Sequence, residues 1–232
     1  MRLALVGTGR MGEAVGREAE HRGHTIHARV GRAENPGGAG LTRERLQGVD
    51  VVVEFTRPDA VVANLERLIE LGVPVVTGTT GWIDHLPRIA ALATARNAAL
   101  LHAPNFSIGI HLFFRAAGEL ARWLPEGAEF DASITEIHHR QKRDAPSGTA
   151  LALQRAVRAA DASREYPITS QRIGSVPGTH VLTVDGPHDS IQLTHTVRDR
   201  AVFAAGAVRA AEWLPGRRGV FTFDQMLFGG AP

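Results

Sequence analysis

The segment Gly7-Thr8-Gly9-Arg10-Met11-Gly12 constrains the fold more than any other stretch of this chain. It fits the pattern G-x-G-x-x-G, follows an apolar run over 3–6 that reads as a buried strand, and precedes a helical pattern over 12–22. In that setting the three glycines have separate tasks. Gly7 makes the tight turn, Gly9 lets the backbone approach a pyrophosphate, and Gly12 lets the helix lie close to the strand. The helix start also directs N–H groups and a partial positive charge at the phosphates. The pattern predicts a Rossmann-like dinucleotide-binding fold, with Gly7, Thr8, Gly9, Arg10, Met11 and Gly12 as cofactor-binding residues.

The rest of the first hundred residues agrees with that fold. Strands are expected over 24–30, 49–55, 72–77 and 98–102, with helices over 58–71 and 84–96 and a glycine-rich loop over 35–40. Pro58 suits the first turn of its helix. Strands separated by helices of this length imply crossover units and a parallel sheet. Ligands of open α/β sheets bind at the carboxyl ends of the strands. Gly78, Thr79 and Thr80 follow one such end, and Ala103, Pro104, Asn105 and Phe106 follow another, so both groups are expected to contact the cofactor. The second strand ends Arg29-Val30-Gly31-Arg32, with no acidic residue at its tip to hold ribose hydroxyls; Glu34 lies beyond. An arginine there can pair with a 2′-phosphate instead. The expected cofactor is therefore NADPH at least as readily as NADH, with Arg32 as the contact.

The pattern changes after Pro104. A long amphipathic helix is expected over 108–123, a strand over 130–137, a charged loop over 138–146 and a helix over 147–160. Long strands follow between 173 and 197, with a turn at Asp185-Gly186-Pro187-His188, then a helix over 200–214 and a last strand over 219–223. The fold class is α/β: an N-terminal Rossmann-like dinucleotide-binding domain plus a second, mixed α+β domain. The expected boundaries are 1–106 plus about 216–232 for the first domain and 107–215 for the second.

Lys and Arg together number 26, and Lys142 is the sole lysine. Arg keeps its proton at any workable pH, whereas a Lys ammonium can release one when burial or neighbours lower its pKa. A chain that uses Arg for every other fixed positive charge and keeps one Lys points to proton transfer at that position. The surrounding residues are Glu136-Ile137-His138-His139-Arg140-Gln141-Lys142-Arg143-Asp144-Ala145-Pro146-Ser147-Gly148-Thr149. Two adjacent histidines, a lysine and a Ser-Gly-Thr turn suit proton transfer beside an anionic ligand. Ser147-Gly148-Thr149 also opens a helix, and helix starts favour anions.

On these residues the chain resembles the 4-hydroxy-tetrahydrodipicolinate reductases, also called dihydrodipicolinate reductases. The resemblance is carried by the glycine turn at 7–12, by Gly78-Thr79-Thr80-Gly81 and by Asn105-Phe106-Ser107. Above all it is carried by Glu136-x-His138-His139-x-x-Lys142-x-Asp144-x-Pro146-Ser147-Gly148-Thr149-Ala150. Arg172, Gly178, His180 and Phe203-Ala204-x-Gly206-Ala207 also match. The resemblance implies reduction of a cyclic unsaturated dicarboxylate by NADPH and/or NADH, with loss of water, in lysine and diaminopimelate biosynthesis. It implies a second domain that binds substrate and assembles a homotetramer. By matching position, His138 and Lys142 take the catalytic acid/base roles, and His139, Ser147, Gly148 and Thr149 contact the substrate. One departure is Gly31, where many members carry an acidic residue; it agrees with the NADPH reading.

Several classes are excluded or disfavoured. The chain has no cysteine, which removes disulfides, cysteine zinc sites and thiol nucleophiles, including those of thiohemiacetal-forming aldehyde dehydrogenases. The net charge of +2 gives no reason to expect nucleic acid. No apolar run approaches the roughly 18 residues of a membrane span, and the N-terminus lacks a signal-peptide pattern. The expected partners are a small-molecule dicarboxylate, no nucleic acid and no membrane, and the expected location is the cytoplasm. The eleven histidines offer no H-E-x-x-H pattern, and neighbours such as His138 and His139 at a strand end point opposite ways, so no metal is expected. Two other readings stay open: a related NADP-dependent dehydrogenase acting on a different carbonyl or imine acid, and a regulator that binds NADPH without turnover.

Overall fold

The structure, a computed structural model, describes residues 1–125 and 129–230. Positions 231–232 of the expected C-terminal segment lie outside them. The chain forms two compact units, Met1–Ser107 with Ala201–Pro232, and Ile108–Arg200.

The first unit begins with β1 (Arg2–Val6), α1 (Arg10–His21), β2 (Thr25–Val30), β3 (Val51–Glu54), α2 (Pro58–Leu71), β4 (Val75–Thr77), α3 (Leu86–Ala95) and β5 (Ala99–His102). Val51, Val52 and Val53 are all buried, as expected for a strand covered on both faces. Leu65, Leu68 and Ile69 of α2 and Ile89 and Ala93 of α3 join the same apolar cluster. Full burial of a Leu, Ile or Val side chain contributes about 1.5–3 kcal/mol each, so this cluster dominates the stability of the unit.

The second unit runs α4 (Ile108–Trp123), β6 (Asp131–His138), α5 (Gly148–Ala160), β7 (Ile168–Arg172), β8 (Thr179–Asp185) and β9 (Ser190–Thr196). Its sheet has the order β7-β6-β8-β9. β7 runs parallel to β6, and β8 and β9 follow antiparallel. Burial alternates strictly along β6, so Ala132, Ile134, Glu136 and His138 share the inner face. Ile110, Phe113 and Ala117 of α4 and Leu153 and Val157 of α5 complete the core with Ile134, Leu182 and Val184.

The chain then returns to the first unit with α6 (Ala201–Trp213), β10 (Gly219–Thr222) and α7 (Phe223–Phe228). The finished sheet is β10-β5-β4-β3-β1-β2, parallel throughout. Direction reverses on either side of β1, which places the topological switch point between β1 and β3.

Three features differ from the sequence expectation. The helix over 200–214 was expected in the second domain, but α6 belongs to the first unit. Ala204, Ala207, Val208, Ala210 and Ala211 are buried, and Glu212 bonds Arg22 (2.7 Å) and His24 (2.7 Å) just beyond α1. A Cβ at Gly206 would stand 1.8 Å from the carbonyl oxygen of Phe106, so the helix can approach that backbone only with glycine there. Strand β7 lies before residue 173, in a stretch with no clear apolar alternation. Finally, α7 follows β10 directly, started by a capping box in which Thr222 and Gln225 bond each other's backbone N–H.

Candidate active site

The first functional cluster sits at the carboxyl edge of the parallel sheet. A cavity of about 510 Å³ is lined by the ends of β1 (Val6 to Gly9), β2 (Val30 to Arg32) and β3 (Phe55 to Arg57), together with Asn35 and Asn64. It therefore lies at the switch point. Gly7 has φ +103°, and a Cβ there would stand 2.0 Å from the Phe55 carbonyl oxygen. A Cβ on Gly12 would stand 1.9 Å from the Gly7 carbonyl oxygen. Both glycines are thus required by the turn itself. Gly9 is different: a Cβ on it would meet nothing within 4 Å. Packing does not demand glycine at position 9, but a ligand lying against the backbone would. Gly9 is also the N-cap of α1, and no side chain caps that helix start. These residues fit a dinucleotide pyrophosphate.

Gly7, Thr8, Gly9 and Arg32 line this cavity, whereas Arg10, Met11 and Gly12 form the first turn of α1 beside it. Gly78, Thr79 and Thr80 follow β4 and Ala103, Pro104 and Asn105 follow β5, along the same sheet edge. Phe106 is a core ring rather than an open surface: it is buried, with Phe55 at 5.8 Å and Phe223 at 5.0 Å between centroids. Thr79 is buried too.

Sequence reasoning gave no role to Glu54. This last residue of β3 is fully buried, yet its partners are neutral groups. Its carboxylate accepts from the hydroxyls of Thr56, Thr77 (2.6 Å) and Thr79 (2.8 Å) and from the Asn64 amide (3.3 Å). The Asn64 side chain in turn accepts from the Asn35 amide (2.8 Å), whose side-chain Oδ1 receives the Gly40 N–H (3.0 Å). One carboxylate thereby ties together the ends of β3 and β4, helix α2 and the 35–40 loop. A fully satisfied buried network of this kind fixes the wall of the cavity.

The second cluster sits at the end of β6. Strand register brings it together: Glu136 pairs with His180 of β8, and His138 pairs with Arg172 of β7. Glu136 is fully buried and hydrogen-bonds His138 Nδ1. Its other oxygen accepts from Arg172 (2.7 Å) and from the Ser147 N–H (3.3 Å). Burial raises the Glu136 pKa, but bonds from Arg172, Ser170 and His138 outweigh it and hold the carboxyl at about 2. Burial lowers the His138 pKa, partly offset by Glu136. His180 packs edge-on against His138 (5.2 Å), and burial, then the neighbouring His138, brings its pKa down to about 4.

Lys142 lies in the loop after β6, with its side chain 23% exposed. Its ammonium donates to both Asp144 oxygens at 2.8 Å. That bond, helped by the Gly148 backbone, holds the Asp144 carboxyl below its usual range. A carboxylate therefore already rests between the Lys142 ammonium and the start of α5, where an anionic ligand was expected.

His139 leaves the strand and is half-buried, while Gly148 and Thr149 form the accessible first turn of α5. Ser147, also expected to contact the substrate, makes its hydrogen bonds within the protein. It is buried, its N–H is committed to Glu136, and its hydroxyl caps α5 by accepting from Ala150 (3.2 Å) beside His180 Nε2 (3.2 Å). Glu136, Arg172 and His180 stand in the sequence motif, but only strand register reveals what they touch. Glu136, His138 and His180 place ligand-type atoms within 4.8 Å of one another. The Arg172 guanidinium on the same carboxylate opposes a metal cation there.

A glycine turn at the switch point of a parallel sheet, followed by a separate unit with a buried Glu-His-Arg cluster beside a lysine loop, fits a two-domain, nicotinamide-dependent oxidoreductase. The dihydrodipicolinate reductase N-terminal family matches residues 1–106, and the dihydrodipicolinate reductase C-terminal family matches residues 109–227. A 4-hydroxy-tetrahydrodipicolinate reductase of Christiangramia forsetii is 34% identical, covering 98% of this chain and 98% of the relative. Another of that name from Natronomonas pharaonis is 37% identical, covering 94% and 96%. The dipicolinate-bound dihydrodipicolinate reductase of Paenisporosarcina sp. TG-14 shares the fold, with a TM-score of 0.81 at 23% identity over 96% of this chain and 97% of that one. The chain belongs to the 4-hydroxy-tetrahydrodipicolinate reductase family.

Proposed function

We propose that this chain reduces 4-hydroxy-tetrahydrodipicolinate to tetrahydrodipicolinate, with loss of water, in lysine and diaminopimelate biosynthesis. The first unit holds the cofactor, whose nicotinamide supplies a hydride when bound. Loss of the 4-hydroxyl as water leaves a conjugated imine; once hydride adds to it, electron density collects toward the ring nitrogen, where a proton gives the enamine tautomer of tetrahydrodipicolinate. Lys142 supplies that proton, and His138 assists and sets the local charge. His139, the Lys142 ammonium and the first-turn N–H groups of Gly148 and Thr149 hold the carboxylates. Ser147 acts through the cap of α5. One observation carries this reading: the Lys142 ammonium and the start of α5 converge on a carboxylate, that of Asp144. No metal takes part.

The test is cofactor oxidation followed at the nicotinamide band, with the product of dihydrodipicolinate synthase as substrate, in parallel with NADH and NADPH. Turnover is expected with both. Binding of cofactor without oxidation would overturn the reading in favour of a sensing module.

Arg32 is the proposed 2′-phosphate contact, supported by its place in the cavity wall beyond β2. Arg32→Ala should raise the KM for NADPH by about tenfold, corresponding to roughly 1.4 kcal/mol for a charge-assisted hydrogen bond, while the KM for NADH stays near wild type. Equal effects on the two cofactors would remove Arg32 from that role.

The reading also carries a cytoplasmic homotetramer. β9 forms a sheet edge on which Ile191 is 41% exposed, a surface suited to pairing with another copy. Light scattering should give four chain masses; a monomer at assay concentration would contradict it.

A further inference from the structure

Glu136 has no assigned chemistry, yet it is the most heavily bonded side chain near His138. Its four partners come from three elements: His138 on its own strand, Arg172 and Ser170 on β7, and the Ser147 N–H at the start of α5. Arg172 also donates to the Asp144 carbonyl oxygen (2.6 Å), so the guanidinium bridges the carboxylate and the loop that carries Lys142. An ionised carboxylate can only accept, so the proton in the Glu136–His138 bond belongs to Nδ1. His138 Nε2 is then the ring nitrogen left for chemistry. It faces Gly178, where a Cβ would stand 3.0 Å away, so glycine keeps that side clear. The other charged or titratable groups around the ring are Lys142 from the loop, Arg172 from β7 and His180 from β8.

We infer that Glu136 is a positioning residue for the reduction: it acts through His138, fixing that ring with Nδ1 protonated and Nε2 turned toward Gly178. The inference rests on the reading that His138 and Lys142 serve the reaction. A carboxylate that orients an imidazole acts through that imidazole, so its removal should cost nothing further once the imidazole is gone.

The test is a double-mutant cycle with Glu136→Gln and His138→Ala. Glu136→Gln should lower kcat by about 10- to 100-fold, leave the KM of the dicarboxylate near wild type, and add no further loss in the His138→Ala background. The same factor lost with and without His138 would show a merely structural role and overturn the inference. Near-wild-type turnover of His138→Ala alone would instead remove the role of His138, a separate failure visible in the same set. A second measurement covers the case in which Glu136→Gln does not fold. In the wild-type chain labelled with ¹⁵N-histidine, the His138 signal, assigned by its absence from His138→Ala, should show protonated Nδ1 and bare Nε2 at neutral pH. The opposite tautomer would contradict the inference whatever the variants do.

Discussion

Replacing Lys142 by alanine is expected to lower kcat by about 10²- to 10⁴-fold, the range lost when a positioned acid is removed. The KM of the dicarboxylate should rise too, because the same ammonium helps to hold a carboxylate, but by a smaller factor than kcat falls. His139→Ala and Thr149→Ala should do the reverse, raising KM with kcat largely kept, because they remove binding shared by substrate and transition state. The size of the Lys142 effect follows from the composition. No second lysine exists to take over, and arginine as a residue type is a poor proton donor. Steady-state kinetics at saturating cofactor checks both patterns. Retention of kcat in Lys142→Ala would transfer the proton to another donor, with His138 first in line.

The second large effect is expected in the glycine turn, where two substitutions should separate structure from ligand binding. In Gly12→Val the new Cβ would overlap the Gly7 carbonyl, 1.9 Å away, and backbone cannot yield as a flexible side chain does. Overpacking of this kind typically costs about 1–3 kcal/mol, and each kcal/mol lowers Tm by about 2–4 °C in a chain of this size. NAD(P)H binding should be lost along with the turn. Gly9→Ala should behave differently. Its Cβ meets nothing within 4 Å, so Tm should stay near wild type while cofactor affinity falls. Thermal melts and titration of NADPH fluorescence measure the two quantities. A Gly9→Ala chain that binds NADPH as tightly as wild type would show that the pyrophosphate does not lie against this backbone.

Much of the first unit was legible because its signals are local. The glycine turn, the valine-rich β3 and the helix opened by Pro58 each declare themselves within a short window. Other elements were hidden for physical reasons. β7 has a polar sequence, since it gains its place from ladder bonds to β6 rather than from an apolar face. α6 follows a run of strands and reads as their neighbour. Its alanines and Gly206 instead allow close approach to the first unit, a fit no linear pattern encodes. The Thr222–Gln225 capping box was a readable signal for α7.

At the site, residue types were legible and contacts were not. The histidines and Lys142 stand out by rarity and spacing. Glu136, Arg172 and His180 meet only through the register of three strands, and the commitment of Ser147 to Glu136 and to the cap depends on the same meeting. Glu54 was hidden inside an apolar strand; its threonine and asparagine partners are scattered over two strand ends and a helix.

In the proposed reduction Lys142 gives up a proton rather than merely holding charge. Lys142→Arg tests it most directly, because the substitution keeps the cation and removes the donor. In a single-turnover experiment with enzyme in excess over the dicarboxylate, the variant should still bind NADPH yet oxidise it about 10²-fold more slowly than wild type, or slower still. Oxidation at close to the wild-type rate would contradict the claim and leave position 142 with a purely electrostatic role.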